Sequence, residues 1–195
     1  YTDVIVRQTG DLRRIVDEFS KFARMPEPER KSVDLVPLVR DAAVLQDTAF
    51  DDIDVSASLP ETALTAEIDP TMIGQAMTNL IKNACEAIES LREKEAPADH
   101  IARVRVELRE EAGLAVIQIA DNGIGLPEDR AKLFEPYVTT RQKGTGLGLP
   151  IVKKIIEEHG GQLRLSDAAP LDDSGQVGAE AEIRLPLSNE KGAEQ

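Results

Sequence analysis

Asp121-Asn122-Gly123-Ile124-Gly125 and Gly144-Thr145-Gly146-Leu147-Gly148-Leu149 are two glycine clusters, and the reading of the stretch they bracket decides the fold. The first follows Leu114-Ala115-Val116-Ile117-Gln118-Ile119-Ala120, an apolar, β-branched run that predicts a buried strand. Asp121 then falls where the strand ends and the chain turns. Glycines at 123 and 125 carry no Cβ and tolerate positive φ, so a flat ligand can lie against the backbone while the Asp121 carboxylate accepts from an amino group. The 6-amino group of a purine suits that acceptor. The second cluster runs into Pro150-Ile151-Val152-Lys153-Lys154-Ile155-Ile156-Glu157-Glu158-His159, apolar at helical spacing until Gly160-Gly161 ends it. Loop amides that feed a helix N-terminus suit a phosphate. Taken singly, Asp-Asn-Gly is equally an ordinary turn, and the second cluster could be a linker, although linkers seldom alternate Gly with Leu and run straight into an amphipathic helix.

A third element upstream decides between these readings. The residues from Gln75 to Ala87 lie in a predicted helix that starts near Asp69-Pro70, an N-cap residue followed by proline at the first helical position. Asn79 and Asn83 fall one turn apart on the same face, beside an apolar stripe of Met72, Ala76, Leu80, Ala84 and Ile88. Asparagine is a poor helix former, so two at this spacing call for a reason. Two amide oxygens one turn apart can share a hard cation such as Mg²⁺, which keeps several waters and takes its remaining oxygens from substrate phosphates.

Asn79 to Asn83, Asp121 to Gly125, Phe134 to Tyr137 and Gly144 to Leu149 occur in the order of the N, G1, F and G2 boxes, and over residues 33 to 187 the chain resembles the sensor histidine kinases. These belong to the ATPase superfamily of gyrase, the Hsp90 chaperones and MutL. The resemblance implies an α+β fold, a two-layer α/β sandwich with a mixed sheet covered on one face by helices and a Bergerat-type ATP site. By the same implication Asn83 with Asn79 holds Mg²⁺ against the ATP phosphates, and Asp121 binds the adenine amino group with Gly123 and Gly125 beside it. Gly144, Thr145, Gly146, Leu147, Gly148 and Leu149 form the phosphate loop, Pro127 to Lys143 the ATP lid, and Phe134 the packing residue of the lid hinge.

Two departures sharpen the implied mechanism. Superfamily members that hydrolyse ATP carry a glutamate at the position of Asn79, and an amide lacks the basicity to activate water. Asn79 therefore suits a site that positions ATP for another nucleophile. Many histidine kinases place a base one turn beyond the second asparagine, where this chain has Glu86, so phosphate charge falls to Lys82, Arg141 or Lys143, with Lys143, next to the glycine loop, preferred. Gly178-Ala179 replaces the Gly-Thr common before the last strand, which leaves adenine recognition leaning on Asp121.

Outward from this core, composition bounds the rest. The 195 residues are 41% hydrophobic but 3% aromatic, with no Trp, which predicts a core of Leu, Ile, Val and Ala. A net charge of −13 argues against nucleic acid or an anionic membrane surface as partner. Cys85 is the sole cysteine, which excludes an internal disulfide and reads as a small core residue. No apolar run is long enough to span a bilayer and no signal peptide is visible, so any membrane anchor would lie in segments outside this chain. The first residue, Tyr1, stands in mid-pattern, as in a fragment.

Residues 1 to 25 predict one helix with a heptad seam of Ile5, Leu12 and Phe19 beside Tyr1, Gln8, Ile15 and Phe22. This coiled-coil-like helix either packs on the body or, as the resemblance implies, is the second helix of a dimerisation and histidine-phosphotransfer hairpin that forms a four-helix bundle in a homodimer. Residues 26 to 32, with Pro26 and Pro28, read as a linker, 33 to 187 as the catalytic body, and 188 to 195 as a solvated tail. The phosphoacceptor motif of the first hairpin helix is missing. His100, at a loop-to-strand junction, and His159, at a helix C-terminus that favours a partly cationic imidazole, read as structural. The expected role is the cytoplasmic ATP-binding domain of a bacterial sensor kinase that serves a cognate response regulator. Phe19 to Pro26 with Thr139-Thr140-Arg141 resemble the nitrogen-regulation branch. The rival readings are a self-contained ATPase of the gyrase or Hsp90 kind and a non-catalytic docking module.

Strands are predicted near 33 to 35, 53 to 59, 64 to 68, 101 to 108, 114 to 120, 162 to 165 and 181 to 185, with a helix from Leu38 to Leu45 whose apolar, inward face is Leu38, Val39, Ala42 and Leu45. Charge on one side of the alternating strands predicts one wet face and one covered by helices.

Overall fold

The computed structural model describes residues 25–94, 96–97, 99–136 and 146–188. All of the predicted helix of residues 1 to 25 except Met25, and most of the predicted tail, lie outside them.

The longest helix forms where its caps and stripe predict. Helix α2 (Pro70–Arg92) begins at Asp69, whose Oδ1 accepts from the amides of Thr71 (2.9 Å) and Met72 (3.1 Å), with Pro70 at the first position where no amide hydrogen is missed. Met72, Ala76, Leu80, Ala84 and Ile88 are all buried. Each large aliphatic residue among them contributes about 1.5–3 kcal/mol by leaving water. Strands β4 (Arg103–Glu111) and β5 (Leu114–Asp121) form an antiparallel hairpin closed by Ala112 (φ 52°) and Gly113 (φ 78°), the paired positive φ of a tight two-residue turn.

Around this hairpin, β2 (Asp54–Ser58), β6 (Gln162–Asp167) and β7 (Ala179–Pro186) complete a five-stranded sheet in the order β2-β4-β5-β7-β6. β2 runs parallel to β4 and every other neighbour is antiparallel, so the sheet is mixed. The parallel pair needs a long crossover, and α2 supplies it. Helices α1 (Leu35–Ala49), α2 and α3 (Gly148–Glu158) share one core with the inner side of the sheet, including Val104, Val106, Ile117, Ile119, Ile183 and Leu185. The outer side is wet, as alternation predicts, and carries the chain Arg109–Gln118–Glu182–Arg184 at 2.7, 3.1 and 2.8 Å. Part of it is roofed by the loop from 168 to 178, which closes a small second core of Ala120, Ala168 and Leu171.

Other boundaries move, each for a local reason. β1 (Lys31–Asp34) starts earlier than predicted and pairs with β3 (Thr65–Ile68) in a separate two-stranded sheet. α1 begins three residues before the predicted Leu38, because Asp34 caps it by accepting from Val36 N at 3.0 Å. Its buried positions are Leu35, Val36, Val39, Ala42, Ala43 and Gln46, so Leu45, expected inside, is 56% exposed. Residues 26 to 30 form no helix or strand, yet Glu29 N donates to Asp69 Oδ2 at 3.0 Å and Arg30 donates to the Glu158 carbonyl.

α3 ends in a glycine-capped turn. Gly160 (φ 73°) and Gly161 return their amides to the Glu157 and Ile156 carbonyls at 3.0 and 2.9 Å. His159 just before them is 2% exposed. Its Nδ1–H donates to the Ile155 carbonyl at 2.7 Å and its Nε2 accepts from the Asp69 amide at 3.0 Å. An amide can only donate, so Nε2 is the acceptor of the Asp69 bond and Nδ1 the donor of the other. His100 Nε2–H donates to the Asn122 carbonyl at 2.8 Å. Both histidines are structural, as read from the sequence.

Candidate nucleotide site

The acceptor end of the site is built by close backbone packing. Asp121, the last residue of β5, is 4% exposed, and its Oδ1 accepts from Gly123 N (2.8 Å) and Ala179 N (3.3 Å). These two amides fix the direction of the carboxylate. A Cβ at Gly123 would lie 2.5 Å from the Ala87 carbonyl carbon, and Ile124 N donates to the Ala87 carbonyl at 3.1 Å, so the turn is pressed onto α2. Gly125 holds φ 78° and lies under the Val177 carbonyl. A Cβ at Gly178 would come within 2.0 Å of the Asp121 carbonyl oxygen. Here glycine is required by space rather than by φ.

Asn122 is the buttress. It is fully buried, its Oδ1 accepts from Arg103 N (2.9 Å), and its Nδ2 donates to the Ile101 carbonyl (2.7 Å) and to Asp172 Oδ2 (2.9 Å). Asp172 also accepts from Ile101 N and from the amide and hydroxyl of Ser174, which ties the 168–178 loop to the turn. Burial acts to raise the Asp172 carboxyl, but the Ser174 and Ile101 hydrogen bonds outweigh it and hold it below the ordinary carboxylate value.

The phosphate end lies along α2. Counting back from Ala87, against which the turn packs, Asn83 stands one turn away and Asn79 two, both half-buried. A Cβ at Gly148, the first residue of α3, would have Asn83 Nδ2 as its nearest neighbour at 3.9 Å. The second asparagine and the head of the glycine-loop helix are therefore side by side. Gly146 holds φ 70°, Leu147 is fully buried as the residue before α3, and Leu149 packs on the core. Lys82 is exposed and sits 3.7 Å from Glu86 in a pair one turn apart. Arg141, Lys143, Gly144 and Thr145 lie outside the described residues.

Phe134 closes a 3₁₀ turn (Arg130–Phe134), and the Lys153 ammonium of α3 sits 5.0 Å from the centre of its ring. Arg130 reaches both carboxylate oxygens of Asp167 at 2.7 Å. Cys85, fully buried on α2, has its thiol pushed up to about 12 by burial and by the Asp121 charge, consistent with an inert core residue.

Sequence reasoning missed Asn122 and Asp172 as parts of this assembly; it singled out Ala179 through the resemblance and read His159 as structural, without the bonds that Ala179 makes to Asp121 and His159 to Asp69. Asn122 stood only as the middle of Asp-Asn-Gly, which reads equally as a turn.

The model of the family described as histidine kinase-, DNA gyrase B- and HSP90-like ATPase matches residues 68–189. The chain belongs to this ATPase family. Among its members, the nitrogen regulation protein NtrY of Azorhizobium caulinodans is 46% identical over 192 residues, 97% of this chain and 23% of that protein. The chain thus spans about a quarter of the length of that relative. Of solved structures, a mycobacterial sensor histidine kinase, MprB, superposes with a TM-score of 0.67 at 27% identity, over 81% of this chain and 97% of that one. Full-length ShkA in complex with AMPPNP gives 0.73 at 26% identity, over 95% and 38%. These likenesses place the α+β sandwich within the histidine kinase branch of the ATPase family and agree with the four ordered motifs.

Proposed function

We propose that this chain is the ATP-binding catalytic domain of a two-component sensor histidine kinase of the nitrogen-regulation type. It holds ATP so that a histidine outside the chain attacks the γ-phosphorus while the bond to the β-phosphate oxygen breaks and ADP leaves. The phosphorylated histidine then serves an aspartate of a cognate response regulator. The observation that carries this reading is the line along α2: Ala87 under the turn whose Gly123 amide fixes the Asp121 carboxylate, then Asn83 beside Gly148, then Asn79, with no carboxylate where a hydrolytic base would stand.

In this reading Asp121 accepts from the adenine amino group and Gly123 and Gly125 bring backbone to the ring. Asn79 and Asn83 fit Mg²⁺ by donor type, since both offer hard amide oxygens one turn apart. Among the described residues no group of three or more His, Cys, Asp or Glu could hold a metal, so the asparagines would share the ion with ATP phosphates. When bound, Mg²⁺ neutralises phosphate charge. Gly144 to Leu149 offer amides to the phosphates, and Lys143 supplies the compensating cation, with Arg141 and Lys82 as further candidates. Phe134 anchors the lid stem. The intact protein pairs as a homodimer through the helical hairpin, acts in the cytoplasm and reaches a membrane through segments outside this chain. No helix among the described residues is long and apolar enough to cross one.

The test is calorimetric titration of this chain with a non-hydrolysable ATP analogue, with and without Mg²⁺, beside Asp121→Asn. The variant keeps an oxygen for the Gly123 and Ala179 amides but loses the charge. It is expected to fold and to bind about ten- to a hundredfold more weakly, the range for a hydrogen bond to a charged group. A first-helix peptide with its histidine should then acquire acid-labile phosphate from ATP. Sustained phosphate release by the chain alone, with no labelled peptide, would instead identify a self-contained ATPase.

A further inference from the structure

His159 is a buried imidazole that none of the nucleotide motifs uses, and its bonds join two elements the motifs occupy. It caps the C-terminus of α3, and its Nε2 takes the amide hydrogen of Asp69, the residue that caps the N-terminus of α2. The other end of α3 is Gly148, whose nearest side-chain neighbour on α2 is Asn83. From Asp69 to Asn83 the helical rise is about 21 Å, and from His159 back to Gly148 about 16 Å, so the helices run antiparallel, bonded at the His159–Asp69 end and side by side at the Gly148–Asn83 end. Arg30 donates to the Glu158 carbonyl and Glu29 N to Asp69 Oδ2, so the chain entering the body is fastened to the same corner.

We infer that His159 is a positioning residue for the phosphate and metal end of the site. By holding the Asp69 amide, it sets the axial position of α2 against α3, and hence the placement of Asn79 and Asn83 against the glycine loop. This rests on the proposed nucleotide reading. Asp121 is held by contacts that do not run through α3, since its turn rests on Ala87 of α2, on Asn122 and on Ala179 and so moves with α2. Loss of the His159 tie therefore weakens the metal-assisted part of binding and spares the adenine part.

The experiment compares wild type, His159→Phe and His159→Gln by titration with adenosine and with a non-hydrolysable ATP analogue, each with and without Mg²⁺. Phenylalanine fills the ring volume without accepting from Asp69, and glutamine restores an acceptor and a donor. His159→Phe should keep adenosine affinity within about twofold and lose about tenfold of the Mg²⁺-dependent gain in analogue affinity, as when the support of a metal ligand is removed. His159→Gln should recover most of that gain. His159→Met serves as a second acceptor-free variant, and unfolding curves are recorded for all. Equal Mg²⁺-dependent gains in wild type, Phe and Met overturn the inference. So does a parallel loss of adenosine and analogue binding in both Phe and Met, which would make His159 a residue of general stability. Failure of the wild type to bind the analogue at all defeats the nucleotide reading instead.

Discussion

The two ends of the candidate site are built by different means. At the acceptor end backbone meets backbone: Gly123 leaves 2.5 Å between a hypothetical Cβ and α2, Gly178 leaves 2.0 Å to Asp121, and Asn122 is fully buried with all its bonds made. At the phosphate end the asparagines are half-buried, and among the described residues a Cβ at Gly148 would meet nothing closer than Asn83 at 3.9 Å. Recognition of a rigid base suits a socket fixed in advance, because no ordering of the protein is then charged against binding. A charged, hydrated triphosphate suits donors with room around them, since the ion keeps part of its water.

This contrast can be broken by adding single methyl groups. Gly178→Ala has the largest expected effect, because the clash is with main chain of a central strand that cannot swing aside. A loss of about 3 kcal/mol, the upper range for overpacking, should appear in urea unfolding together with loss of adenosine binding. Gly123→Ala should cost about 2 kcal/mol for the same reason against α2. Unchanged stability in either would mean that the turn is looser than its contacts imply.

Acid sharpens the comparison from another side. Burial acts to raise the Asp69 carboxyl, but the amides of Met72, Glu29 and Thr71 outweigh it, and Asp69 ends below its usual 3.8. Glu182 is lowered below 4.5, first by its Arg184 hydrogen bond. Asp172, which braces the acceptor end, is lowered as well. A carboxyl depressed on folding contributes stability that is present above its unfolded value and lost as pH falls through the folded one. Unfolding free energy should therefore be flat near neutrality and fall as pH drops below about 4. Asp172→Asn should flatten part of that fall, and an identical acid limb in the variant would remove Asp172 from the account. The smallest effect is expected of Gly148→Ala, which should lie within about 0.5 kcal/mol of neutral in the same unfolding assay.

Much of this architecture was legible because the signals were local. Asp69-Pro70 announced α2, the stripe from Met72 to Ile88 announced its buried face, and Gly160-Gly161 announced the end of α3. Alternation in β4 fixed which sheet face is wet. The misses came from weak or distant signals. β1 and β3 were both expected as strands, but four-residue segments carry no sign that they pair with each other apart from the main sheet. In α1 the seam runs through Leu35, Val39, Ala42 and Gln46, and a buried glutamine disguised it, so the predicted face was turned toward Leu45. Gly178 and Ala179 meet Asp121 across 57 and 58 positions of sequence, and His159 meets Asp69 across 90. No spacing rule reaches that far, so although the resemblance singled out Gly178-Ala179, these contacts emerge only with the pairing of β5 and β7 and the packing of α3 on α2.

The place of β7 in the sheet also sets when the protein becomes competent. A chain synthesised from its N-terminus presents both asparagines, Asp121 and the glycine loop well before residues 178 and 179 emerge, and its β4–β5 hairpin can form early because the pairing is local. The second amide on the Asp121 carboxylate arrives only with Ala179, at the start of the last strand. A nascent chain halted before that point has every one of the four motifs in its sequence but an Asp121 carboxylate without its second amide, so the acceptor end is completed only with the last strand.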